Sequence, residues 1–367
     1  MPAHALFFPA AAAYAAASVP ASVAAMLGAG PAIPGLAFPA GHAHELLFGF
    51  ALAAVAGNQL GPTPRPVLAL LLGLWLAARV AFLAAPTHVA SAVLNGAFAA
   101  TLAWQIAPRA FGHPKKLRNR SLPVTVVALC IMGAITGISL HAGPAPMQQA
   151  ALVIAILLLG LLMLFMGGRI IAPAAAGQAY REGGNLAARV QPRLEGALIA
   201  AMFLAIAASA AGALALAGVA VAVAGVVALV RMARWRLWTL RTRPDLICLG
   251  LGYGWLAVGL FAVGVALARQ AHLVTALHLV TVGAIGTLTV NVMALTWLRL
   301  ARRDPARAAL PVWSTALVAV AVVARVVADF VPERGPWLAA AAASWSAAYV
   351  LLLALFARVR RAPARER

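Results

Sequence analysis

Acidic side chains are scarce in this chain: eight Asp and Glu stand among 367 residues, and only 10% of residues are charged. A soluble domain carries about 25% charged residues, so this shortage excludes a globule covered by water. Cysteine is nearly absent. Cys130 and Cys248 both lie in apolar runs, show no CxxC spacing and exclude a disulfide framework. They read as small buried apolar residues. A positively charged leader is also missing, so MPAHALFFPAAAAY is expected to open the first membrane span rather than a cleaved signal.

What the chain has instead is apolar length. Hydrophobic residues make up 64% of it and the mean hydropathy is +0.95. A run of about 18 or more apolar residues crosses a hydrocarbon core of roughly 30 Å as a helix. Backbone groups find no water in lipid, so spans must be helices or a closed barrel, and these runs are too long for barrel strands. The expected fold is an all-α integral membrane protein with about twelve transmembrane helices. The spans are placed at 6–28, 44–61, 66–86, 88–107, 121–141, 148–167, 194–212, 214–231, 246–268, 271–298, 311–331 and 336–357. The run 194–231 is too long for one helix and is divided near Ala211–Gly212. Segment 168–193 reads as a cytoplasmic linker between a first half, 1–167, and a second half, 194–367, of one polytopic domain.

The net charge of +20 belongs to loops rather than to a nucleic-acid surface. With twelve spans, 24 of the 28 Lys and Arg fall on one side, including Lys115, Lys116, Arg189, Arg365 and Arg367. Arg269 and Arg334 lie opposite, and Arg79 and Arg325 lie within spans. Basic loops stay cytoplasmic, which puts both termini in the cytoplasm and the lipid bilayer as the principal partner.

Polar residues then gather at one depth. His4 and His113 are cytoplasmic, whereas His42, His44, His88, His141, His272 and His278 fall at or near outer span ends. Glu45, Arg79, Arg325 and Asp329 join them, the last two spaced i, i+4 on one helix face. Ionisable residues in a membrane are costly and mark functional sites by default. For His88, His141 and His272 the plain reading is an interfacial residue, since polar side chains at span ends snorkel; His278 sits about seven residues into its run.

In GHAHELLFGF, residues 41–50, His42 and His44 would point about 200° apart on a regular helix. Either the segment is extended there, or the two serve different partners. Glu45 stands i, i+3 from His42 and could orient it, while His278 could supply a ligand from across the bundle. Imidazole suits iron, copper and zinc, so bis-histidine haem and a copper site are both open. Arg79 and Arg325 could hold haem propionates as bidentate forks or simply pair helix to helix. The small residues of GLGYGWLAVGL (250–260) and TVGAIGTLTV (281–290) suit close helix packing, and Met163 and Met166 read as packing too.

The stretch HAHELLFGF at 42–50 resembles the HAHE-x-LFGF signature of the NnrS family, polytopic bacterial membrane proteins associated with haem, copper and nitric oxide metabolism. GGRII at 167–171 and LHLVTVGAIGTLTVNVM at 277–293 are similar to two further blocks of that family, in the same order. Where the family usually has Trp before HAHE this chain has Gly41, and GPTPRP stands at 61–66 in place of an Asn-Trp-Thr-Gly stretch. A family histidine is replaced at Gly250, and LRLARRD after the tenth span lacks another. The resemblance leaves His42, His44 and His278 as the carried-over ligand candidates. It implies a haem protein, with copper as a further metal, in the bacterial inner membrane. Its task there would be protection against nitric oxide and nitrosative stress. The competing expectation is a twelve-helix secondary transporter, proton- or metal-coupled, that uses the same His, Glu, Arg and Asp residues.

Overall fold

Residues 2–111, 117–186 and 190–361 are described by a computed structural model, and every regular element among them is helical. His113, Lys115, Lys116, Arg189, Arg365 and Arg367 lie outside the described residues. The helices are α1 (His4–Met26), α2 (Pro39–His44), α3 (Leu52–Gln59), α4 (Arg65–Ala84), α5 (Val89–Phe111), α6 (Leu117–Ala142) and α7 (Ala145–Met166). They continue with α8 (Ala172–Arg181), α9 (Pro192–Ala210), α10 (Leu214–Ala233), α11 (Pro244–Arg269), α12 (Leu273–His278), α13 (Thr287–Leu300), α14 (Ala309–Val327) and α15 (Arg334–Arg361). Three π-helical segments connect neighbours without a break: Glu45–Ala51 between α2 and α3, Gly167–Ile171 between α7 and α8, and Leu279–Gly286 between α12 and α13.

Among the described residues, eleven helices are long and apolar enough to cross a membrane. They match the expected spans except the second. Residues 39–59 are continuously helical, about 30 Å at 1.5 Å per residue, but His42, His44, Glu45, Asn58 and Gln59 dilute the apolar character of the run. The chain is thus a polytopic all-α membrane protein. The division of 194–231 falls at Gly212, whose φ of +74° closes α9 before α10 begins. Segment 168–193 is not a linker throughout: the helix of α7 runs on through the π segment and α8 to Arg181.

Two compact units divide the chain, Met1–Leu159 and Gly160–Arg367, with the boundary inside α7. In the first unit α1 packs on α3 and on the first π segment, α4 on α5, and α5 on α6. In the second, α10 lies between α9 and α11, and α14 pairs with α15. Lipid offers no hydrophobic drive between helices, so close backbone approach must supply the attraction. Gly225 shows how: a Cβ there would stand 2.5 Å from the Phe261 nitrogen and 2.8 Å from the Ala257 carbonyl oxygen. Gly252 against Leu288 and Gly259 against Val280 give the small residues of 250–260 the packing role expected of them. Cys130 and Cys248 are free and buried.

Candidate functional site

The first unit builds a buried polar centre where α2 becomes π-helical. Pro39 starts the helix after an extended Phe38, and the wider i→i+5 turn begins at Glu45. His44 and Glu45 are fully buried. Glu45 accepts from three donors: the Tyr14 hydroxyl of α1, the Arg79 guanidinium of α4, and His44 Nδ1 at 3.0 Å. Arg79 spends its other terminal nitrogen on the Asn95 side-chain oxygen, and Asn95 in turn donates to the Ser91 carbonyl at 2.9 Å. Trp75 donates Nε1–H to the Gly49 carbonyl at 2.8 Å and packs edge-on against Tyr14.

This network sets the histidine tautomers. A carboxylate only accepts, so His44 carries its proton on Nδ1 and presents a lone pair at Nε2. That Nε2 is buried and has no hydrogen-bond partner among the described residues. The ring stacks on Phe82 at 4.1 Å and meets Phe48, tilted, at 5.4 Å. His42 is half-buried and takes a different partner, Ser22 Oγ at 2.9 Å. Ser22 donates its own proton to the Leu36 carbonyl at 2.8 Å, so His42 donates to it from Nδ1. Glu45 therefore orients His44, not His42 as the i, i+3 spacing suggested.

The remaining expected residues fall elsewhere. His141 donates to the Thr87 carbonyl at the turn before α5, and exposed His88 accepts from the Ala90 N–H at 3.2 Å. In the second unit, His278 is half-buried and donates Nδ1–H to the Val274 carbonyl at 2.7 Å. His272 stacks on Phe330 with a left-handed φ of +55°. Arg325 pairs with Asp329 at 2.8 Å, as i, i+4 spacing predicts, and Arg334 and Thr275 bind the same carboxylate at 2.7 and 2.6 Å.

A second buried centre was not anticipated. Arg231, expected in a basic loop, is buried on α10, where it donates to Glu195 at 2.9 Å and to the Leu164 carbonyl at 3.1 Å. Its guanidinium lies 5.6 Å over Trp235, whose ring is 4.8 Å from Tyr253. These groups press on Gly167 and Gly168 of the second π segment, where a side chain would collide with Tyr253 and with Arg231. The clue available in sequence was a lone Glu195 near the start of an apolar run. Among the described residues, no three His, Cys, Asp or Glu side chains gather as a metal-holding group.

A family model described as NnrS protein matches residues 2–363. The chain belongs to the NnrS family. A comparison with the curated proteins returned no match. The three blocks that carry the NnrS resemblance each overlap one of the three π-helical segments among the described residues: 42–50 with Glu45–Ala51, 167–171 with Gly167–Ile171, and 277–293 with Leu279–Gly286. Such segments recur at functional sites. In this NnrS chain each one holds glycines against aromatic or charged side chains, Gly49 against Tyr14 and Arg79, Gly167 against Tyr253, and Gly283 against Trp255.

Proposed function

We propose that this NnrS-family chain is a haem-binding protein of the bacterial inner membrane that protects against nitric oxide, with His44 as an iron ligand. One observation carries the reading: the His44 Nε2 lone pair is buried without a partner among the described residues while its Nδ1–H is held by Glu45. A ligating histidine characteristically gives its other ring N–H to a carboxylate, which fixes the ring and raises its basicity.

The residues would suit one imidazole ligand to a haem iron better than a multi-histidine copper site, since among the described residues no three His, Cys, Asp or Glu side chains gather as a metal-holding group. Bound haem would supply an iron that binds nitric oxide. The chain's own contribution is to hold the imidazole. Glu45 fixes the tautomer, Arg79 neutralises Glu45, Tyr14 takes the remaining carboxylate oxygen, and Phe48 and Phe82 keep water from the ring. Arg79 is committed to Glu45 and Asn95, so helix-to-helix pairing accounts for it without a propionate. Arg325 is similarly engaged with Asp329. His278 belongs to the second unit, where its Nδ1–H is held by the Val274 carbonyl. Nitric oxide is small and apolar and reaches such a site through lipid.

The test is the optical spectrum of detergent-purified protein, oxidised and reduced, with and without nitric oxide, beside iron and copper analysis. A Soret band that shifts with nitric oxide and is lost in His44→Ala supports the reading. A colourless protein that stays colourless after haem loading overturns it and returns the cluster to proton- or metal-coupled transport.

A further inference from the structure

Two turns of the second unit form one basic face. The first, residues 234–243, joins α10 to α11 through a 3-10 turn, Leu237–Thr239; the second, 301–308, joins α13 to α14 through Pro305–Arg307. Both 3-10 turns pack on α11. Arg234, Arg236 and Arg241 on one, and Arg299, Arg302 and Arg303 at the other, are exposed. None of these six guanidinium groups has a hydrogen-bond or ion-pair partner among the described residues. Arg243 differs, being held by Asp245 through two bonds of 2.9 and 2.6 Å. Trp238 in the first turn is 62% exposed, and Trp313, near the start of α14 just after the second, is 64% exposed.

The backbone adds an independent observation. After α1, α8 and α9 the left-handed residue is glycine: Gly28, Gly183 and Gly212. After α10 and α13 it is arginine instead, Arg236 at φ +50° and Arg302 at φ +53°. The other two non-glycine residues in this conformation among the described residues, Gln270 and His272, lie in the turn after α11. Glycine is the usual residue where a helix ends this way, and a side chain there is strained. A strained arginine with no partner among the described residues points to a partner outside the protein. A guanidinium fork matches phosphate and carboxylate alike, and exposed tryptophan, which marks the level of lipid headgroups, favours the phosphate.

We propose that this face binds the headgroups of anionic phospholipids, with Arg236 and Arg302 as its two anchoring residues. The full chain would be placed in nanodiscs of phosphatidylcholine with increasing phosphatidylglycerol, and Tm followed for wild type and Arg236→Gly/Arg302→Gly. Phosphatidylglycerol is expected to raise the wild-type Tm. The glycine variant should be more stable than wild type in pure phosphatidylcholine, and its response to phosphatidylglycerol should weaken by roughly 5-fold in apparent affinity per arginine. Arg236→Lys/Arg302→Lys should retain most of the charge-dependent response. An equal response in wild type and the glycine variant overturns the proposal. So does a wild-type response to inorganic phosphate as large as that to the lipid, or one reproduced by soluble polyglutamate, which would indicate an acidic protein partner.

Discussion

The imidazole of His44 lies nearly parallel to the Phe82 ring, with centroids 4.1 Å apart and planes 10° from coplanar. Phe82 is buried on α4, so its removal opens a void against the histidine. Phe82→Ala is expected to cost about 3–5 kcal/mol in denaturant unfolding of the detergent-solubilised protein. A loss below about 1 kcal/mol would show that the ring does not support His44.

Glu45 and Arg79 neutralise one another where neither reaches water. Removing one partner of such a pair strands the other, at about 3–5 kcal/mol. Glu45→Gln should therefore destabilise strongly, while Glu45→Gln/Arg79→Met should recover much of the loss. A double variant as unstable as the sum of the two single ones would show that the pair is not coupled.

Glycine substitutions should separate by position. A Cβ on Gly49 would stand 2.7 Å from Arg79 Nη1 and 2.9 Å from Tyr14 Cε1, whereas one on Gly73 or Gly196 meets nothing within 4 Å. Gly49→Ala is expected to lower Tm and disturb the Tyr14–Glu45–Arg79 contacts. Gly73→Ala should be neutral or raise stability by about 0.5–1 kcal/mol, the usual helix-interior preference. Equal Tm values for the two variants would contradict this close approach.

Asp329 lies just beyond α14. Burial raises its carboxyl pKa, but the hydrogen bonds from Thr275 and Arg325 and the charges of Arg325 and Arg334 outweigh that and hold it below the ordinary value. A depressed carboxylate adds stability above the unfolded-state pKa of about 3.9 and loses it as pH falls through the lower folded-state value. Wild-type Tm should fall more steeply than that of Asp329→Asn as pH is lowered through this acid range. Parallel curves would remove Asp329 from the acid response.

The charge asymmetry of the loops predicts that a reporter fused after Arg367 is active only in the cytoplasm. A periplasmic signal would refute the twelve-helix count on which the orientation rests.

Much of this architecture was legible in the amino-acid sequence because its determinants are local. Hydropathy over some twenty residues specifies a span, Gly212 marks the break in 194–231, and i, i+4 spacing alone brings Arg325 to Asp329. The sequence also singled out His44, Glu45 and Arg79 by the cost of placing such groups in lipid. Only the tertiary structure decided their partners. Tyr14 and Arg79 reach Glu45 from 31 and 34 residues away, separations that no periodicity encodes. Glu45 holds His44 while Ser22 of α1 takes His42, a division of partners that spacing along one helix does not encode. Arg231 looked like a loop cation until α9 brought Glu195 against it. Sequence determines which groups cannot face lipid alone; packing between helices determines which groups relieve them.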